Sequence, residues 1–154
     1  MQPSDLGRVI HALKKHFTLA ADCEITIEAN PDTVSLEYLR ELKGVGFTRI
    51  SFGMQSATPH VLAVLDRTHN PENVAKSVDN ARKAGFDNVS LDLIYGTPGE
   101  TLEEWESTVR TALSYGINHM STYALIVEDG TKLSAKIKRG EISKTDDDLM
   151  AQMY

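Results

Sequence analysis

The chain has 154 residues, a formal net charge of −6 and 41% hydrophobic content, which suits one globular domain with an ordinary core. Its charges are scattered, with no basic stripe able to neutralise a run of phosphates, so nucleic acid is excluded as the expected partner. The apolar runs are too short to span a bilayer, and Arg8, His11, Lys14 and Lys15 interrupt the amino end where a signal sequence would be apolar, so a soluble, cytoplasmic protein is expected.

Apolar residues Leu6, Val9, Ile10, Leu13 and Phe17 recur at helical spacing, which predicts an amphipathic helix over residues 4–17 with Ser4 as its cap. Residues 24–29 are short and rich in β-branched side chains and stop at Asn30-Pro31, as a strand does before a proline turn. A helix over 35–42, closed by Gly44 and Gly46, and a strand over 47–53 follow. Helices are expected over 58–65 and 70–84, the second with Asn70 as cap, Pro71 in the first turn and Gly85 at its end. A nearly continuous apolar run predicts a strand over 89–94. Thr101 and Glu104 stand at capping-box spacing ahead of a helix over 101–113. A fourth strand over 119–126 and helices over 131–139 and 146–154 complete the chain.

Strands and helices alternating through short connections imply right-handed crossovers and a parallel α/β sheet, with strands expected to be apolar on both faces. Four such strands make about half of a βα barrel or an open doubly wound sheet. Two features favour the barrel: no Gly-rich phosphate turn follows the first strand, and the out-of-place polar residues fall at the carboxyl ends of strands.

Those residues are Glu28, Gln55, Asp92 and Tyr123. A carboxylate in an apolar strand is costly to desolvate unless it meets a donor. Asp92 therefore either pairs with Arg67 or caps a helix as a structural group, or it waits for a ligand bearing hydroxyls or an ammonium. Glu28 is a turn-stabilising carboxylate or a ligand contact, and Gln55 a loop amide or part of the same site. Gly96-Thr97-Pro98-Gly99-Glu100 either approaches a ligand through its backbone or only turns the chain. Cys23 is the only cysteine, which excludes an internal disulfide and a thiolate metal cage within one chain. His11, His16 and His60 read as surface residues, and His69 and His119 as singletons without metal-ligand spacing. Asp146-Asp147-Asp148 reads as a helix start.

Glu28-Ala29-Asn30-Pro31, Ser51-Phe52-Gly53-Met54-Gln55-Ser56, Leu65-Asp66-Arg67-Thr68-His69 and Leu91-Asp92-Leu93-Ile94-Tyr95-Gly96-Thr97-Pro98 together resemble one family, in its order and at its spacing. It is the oxygen-independent coproporphyrinogen III oxidase family of radical S-adenosylmethionine proteins, including its haem-chaperone-like branch, and the resemblance covers almost the whole chain. It implies a partial βα barrel of the radical S-adenosylmethionine type, with Glu28, Gln55, Arg67 and Asp92 at cofactor contacts. By that resemblance, Arg67 takes the methionine carboxylate, Glu28 the polar methionine end, and Gln55 with Asp92 the ribose hydroxyls. Ile126 falls on the strand whose backbone lies near the adenine.

Two departures shape the expectation. Residues 126–131, Ile-Val-Glu-Asp-Gly-Thr, differ from the oxidase pattern and look like the chaperone-like branch. The family's CxxxCxxC loop, which holds a four-iron cluster, and its Gly-Gly-Gly-Thr-Pro turn are missing, and Cys23 cannot replace three thiolates. The cluster ligands, and haem or a porphyrinogen as partner, are therefore expected of a longer parent in which Met1 is an internal start. The chain alone is expected to bind the cofactor weakly or not at all and to catalyse nothing. A decarboxylating oxidase is the alternative. An unrelated barrel enzyme such as an aldolase would need a Schiff-base lysine in a strand, and the four predicted strands contain none.

Overall fold

The computed structural model describes residues 1–67 and 70–154, so the reading of His69 lies outside the described residues. The elements are α1 (Pro3–His16), β1 (Thr26–Ala29), a 3₁₀ turn (Pro31–Thr33), α2 (Leu36–Val45), β2 (Arg49–Gln55), α3 (Pro59–Val64), α4 (Pro71–Lys83), β3 (Asn88–Tyr95), α5 (Leu102–Ser114), β4 (His119–Ala124), α6 (Lys132–Lys138) and α7 (Asp147–Met153).

Local chemistry accounts for most of the boundaries. Asn70 Oδ1 accepts the Glu72 N–H at 3.0 Å ahead of α4, and Thr101 with Glu104 forms the full capping box of α5. Asp146 accepts the N–H groups of Asp148 and Leu149, so the acidic run is a helix start as read. Ser35 caps α2, Gly44 lies inside that helix, and Gly46 closes it at φ 115°, a conformation glycine adopts without a Cβ penalty. Ser4 does not cap α1. The cap is Gln2, with no side-chain bond, because Pro3 takes the first helical position, where its missing N–H costs nothing.

The four strands are all parallel and ordered β1-β2-β3-β4. A consecutive order without reversal, joined by right-handed crossovers, keeps the helical layer on one side, as in a barrel segment and unlike a doubly wound sheet. Arg82, near the end of α4, ties two connections to that layer. Its guanidinium donates to the carbonyls of Phe86 and Asp87 before β3, to the Gly116 carbonyl at 2.9 Å and to Asn118 Oδ1 at 2.6 Å before β4.

The expectation that the strands are apolar on both faces is corrected. Ile50, Phe52 and Met54 of β2 and Val89, Leu91, Leu93 and Tyr95 of β3 are buried and belong to one core with Leu39, Val74, Val78 and Trp105 of the helices. The opposite face carries the alternate residues: Thr26 and Glu28, Arg49, Ser51 and Gly53, Asn88, Ser90, Asp92 and Ile94, then His119, Ser121 and Tyr123. Successive side chains point to opposite faces of a strand, so one helical layer needs only one apolar row per strand.

Candidate functional site

The open polar face is organised in register rows. One row runs Glu28, Ser51, Ser90 and His119 across all four strands, and the next, towards the carboxyl ends, contains Gly53, Asp92 and Ser121. The expected carboxylates therefore share a face, with Glu28 exposed and Asp92 half-buried. Neither forms a hydrogen bond or ion pair among the described residues. The pairing of Asp92 with Arg67 does not form. Arg67 is exposed beyond α3, where its backbone N–H donates to the Leu62 carbonyl at 2.9 Å.

Gln55 reaches this face by an irregularity. The β2–β3 register slips between Gly53 and Gln55, so that Gln55 rather than Met54 pairs with Leu93, and Gln55 takes a left-handed φ of 63°. A bulge of this kind re-aims a side chain that regular alternation would place elsewhere. Here the carboxamide folds back over Gly53: a Cβ on that glycine would lie 2.7 Å from Gln55 Nε2. The amide thus hangs above the residue that pairs with Asp92. The glycine is what leaves room for it.

The fourth strand ends at Ala124 rather than at residue 126, although the Leu125 N–H still donates to the Tyr95 carbonyl at 2.9 Å. Ile126 lies beyond that last ladder bond, 76% exposed. It lines a cleft of about 490 Å³ with Leu65, Asp66 and Val127. Lys132 of α6 spans the cleft to Asp66 at 3.6 Å.

The loop after β3 resolves towards the structural reading at one end. The space a Cβ on Gly96 would take is filled by Met150 of α7, its Cε at 3.0 Å, and the Gly96 carbonyl accepts the Thr145 hydroxyl at 2.7 Å. Glu100 is buried at 3% exposure. Its Oε2 accepts the Thr97 N–H at 3.1 Å, while its Oε1 and the Thr97 hydroxyl have no partner among the described residues. Burial pushes the Glu100 carboxyl above the usual carboxylate range, against the pull of the Thr97 N–H, because the charged form is the one that loses solvation. His60, read as a surface residue, is half exposed and bridges this loop to α5: Nε2 lies 3.3 Å from the Gly99 carbonyl and Nδ1 3.6 Å from Glu104.

With that geometry in place, the family is decided by the comparison of the chain with family profiles: the Radical SAM superfamily matches residues 2–112. The chain belongs to this superfamily. Among curated proteins it is 44% identical over 149 residues to the heme chaperone HemW of Mycobacterium tuberculosis, covering 97% of this chain and 38% of that protein. It is 34% identical over 152 residues to the mitochondrial radical S-adenosyl methionine domain-containing protein 1 of Mus musculus, covering 99% of this chain and 34% of that one. Among solved structures it superposes on the coproporphyrinogen III oxidase HemN of Escherichia coli, described as a radical SAM enzyme, with a TM-score of 0.84 and 25% identity over 99% of this chain and 35% of that one. The chain spans under two fifths of the length of these relatives.

The superfamily implies S-adenosylmethionine and a four-iron, four-sulfur cluster. The two fit this chain differently. Carboxylates without partners among the described residues and a re-aimed amide on one face suit a ligand bearing an ammonium and vicinal hydroxyls. Cys23 is the sole cysteine and stands half-buried before β1. No group of three or more His, Cys, Asp or Glu among the described residues is placed to hold a metal ion. The cluster does not fit these residues, and no chemistry through it is assigned to them. No described helix is long and apolar enough to cross a membrane.

One polar group escaped the sequence reading. Arg49, Ser90 and His119 meet at the amino-terminal end of the open face, with His119 Nδ1 3.3 Å from Arg49 Nη2 and 2.9 Å from Ser90 Oγ. The period-two alternation of Arg49, Ser51 and Gly53 was the available signal, obscured by expecting apolar strands throughout.

Proposed function

We propose that this chain is the S-adenosylmethionine-holding part of a haem-handling, chaperone-like member of the radical SAM superfamily, acting in the cytoplasm. Residues 1–154 then form the central and later βα units of its core domain. In this reading Asp92 and the Gln55 carboxamide engage the ribose hydroxyls, and Glu28 accepts from the methionine ammonium. Arg67 pairs with the methionine carboxylate, and Ile126 offers apolar surface to the adenine. The ligand is held by hydrogen bonds at one end and dispersion at the other. Haem or a porphyrin is the second small-molecule partner, and the cluster ligands come from outside these residues.

The observation that carries the cofactor assignment is the bulge that brings the Gln55 amide over Gly53, in the row of the Asp92 carboxylate. The 44% identity to a heme chaperone supports haem handling over oxidation. The test uses a full-length protein containing this segment, reconstituted with iron and sulfide. Asp92→Ala and Gln55→Ala should each weaken S-adenosylmethionine binding by about tenfold, as losing a buried-site hydrogen bond does. Gly53→Ala should do the same by displacing the amide, while the melting temperature holds. Unchanged calorimetric affinity in all three variants defeats the cofactor assignment. A haem Soret band without decarboxylation of coproporphyrinogen supports the chaperone reading, and product formation replaces it with the oxidase.

A further inference from the structure

Of the ten glycines in the chain, only Gly130 follows an acidic or amide residue, Asp129. The pair lies in the connection between β4 and α6, and both residues are exposed. The Thr131 N–H donates to the Glu128 carbonyl at 3.4 Å, which makes residues 128–131 a β-turn with Gly130 in its left-handed position at φ 82°. Such a turn uses the N–H of its last residue, and the Gly130 N–H has no hydrogen bond among the described residues. Nothing lies within 4 Å of the place a Cβ on Gly130 would take. The nitrogen next to the Asp129 side chain is therefore exposed, unbonded and unhindered.

The Asp129 carboxylate is held at one oxygen. Oδ1 accepts the Lys138 ammonium at 2.8 Å and the Ser134 hydroxyl at 3.4 Å, and Oδ2 has no contact among the described residues. The ion-paired side chains are 65% and 88% exposed. A pair that exposed shifts a population by at most about fivefold, so it only modestly opposes chemistry that needs the neutral carboxyl.

We propose that Asp129-Gly130 is a site of spontaneous aspartate isomerisation that loosens α6. The Gly130 nitrogen attacks the protonated Asp129 carboxyl. An N–Cγ bond forms, and the amide proton leaves with the carboxyl hydroxyl as water, closing a succinimide. Water then opens the ring at either carbonyl. Opening at Cγ restores aspartate, and opening at the main-chain carbon gives isoaspartate, with the chain running through Cβ and Cγ. Water is the only co-reactant, and nothing is oxidised or reduced.

The inserted methylene falls between Glu128 and Thr131. The Thr131 hydroxyl caps α6 by accepting the Ser134 N–H at 3.2 Å, and is itself anchored by donating to the Glu128 carbonyl at 2.8 Å. Lengthening the chain between them releases that anchor and moves the carboxylate away from Lys138. A helix of 7 residues depends on such contacts. Its first residue, Lys132, spans the cleft to Asp66, so loosening α6 loosens the cleft wall beside Ile126. The site stands apart from the cofactor assignment.

The 154-residue chain and a peptide of residues 126–133 are aged side by side at mildly acidic pH, and isoaspartate is located by peptide mapping with electron-transfer fragmentation. It should accumulate at residue 129 ahead of every other aspartate, at a rate within about fivefold of the peptide's. Lys138→Met should speed it by about two- to fivefold by freeing the carboxyl to protonate. Gly130→Ala should slow it about tenfold through the added Cβ, and Asp129→Glu, which keeps the charge and the glycine, should give none. Hydrogen exchange of the aged chain should show α6 losing protection while α4 keeps its own. The proposal is overturned by absence of isoaspartate at residue 129, by a folded chain far more than fivefold slower than the peptide, by a Lys138→Met chain no faster or a Gly130→Ala chain no slower than the unsubstituted one, or by unchanged protection of α6.

Discussion

The two faces of the single sheet are made from the same strands by opposite rules. On the covered face Ile50, Phe52, Met54, Val89, Leu91 and Leu93 are at most 1% exposed and pack into one continuous core. On the open face the alternate residues are mostly polar, among them carboxylates, hydroxyls, an arginine and a histidine beside Gly53 and Ile94, and Glu28 and Asp92 have no hydrogen-bond or ion-pair partner among the described residues. One face holds the fold and the other keeps unsatisfied polar groups for something else. Substitutions on the two faces should therefore separate stability from binding.

The sharpest break in that division should come from Phe52→Ala. The ring is fully buried, and the cavity should cost about 3–5 kcal/mol in urea denaturation. An intermediate loss is expected from Thr108→Val in α5, because the Thr108 hydroxyl accepts the Ala57 N–H at 3.1 Å and lies 3.3 Å from Ser56 Oγ. Leaving that N–H unsatisfied should cost about 1–3 kcal/mol, read from the same denaturation curves.

Glu100 provides the pH-dependent case. Its folded-state carboxyl binds its proton more tightly than in the unfolded chain. The stability it contributes is thus fully present below the unfolded value and lost as pH rises through the raised folded one. Glu100→Gln keeps an acceptor for the Thr97 N–H and cannot ionise. It should flatten this part of the thermal stability profile between acidic and neutral pH, and a profile identical to the unsubstituted chain's would contradict the assignment. The smallest stability effect belongs to the open face. Asp92→Asn removes a charge that has no partner among the described residues, so unfolding should change by no more than about 0.5 kcal/mol, measured beside the binding loss that distinguishes this face from the other.

Much of the layout was legible because it is written in short-range chemistry. The Asn70-Pro71 start, the Thr101 and Glu104 box and the Asp146 cap each satisfy N–H groups within three residues of themselves. Glu28 and Asp92 could be placed on one rim because alternation and strand order suffice for that. What was not legible depended on contacts between strands. The register slip at Gly53 and Gln55 has no local signature beyond the glycine, and the contact of Arg49 with His119 needs two residues 70 positions apart. The expected Arg67 partner for Asp92 rested on charge sign alone, with nothing to fix where the connection after α3 would run.

Trp105 is the only tryptophan in the chain. Its ring lies against Tyr95, centroids 5.4 Å apart, and its indole N–H donates to the Met153 carbonyl at 2.8 Å. That arrangement makes the indole a built-in optical gauge of whether the last helix is seated: detaching α7 would wet the ring and shift its emission to the red. The same helix sets Met150 against Gly96, so a fluorescence trace would report, without any added label, whether the loop after β3 keeps its packing against α7.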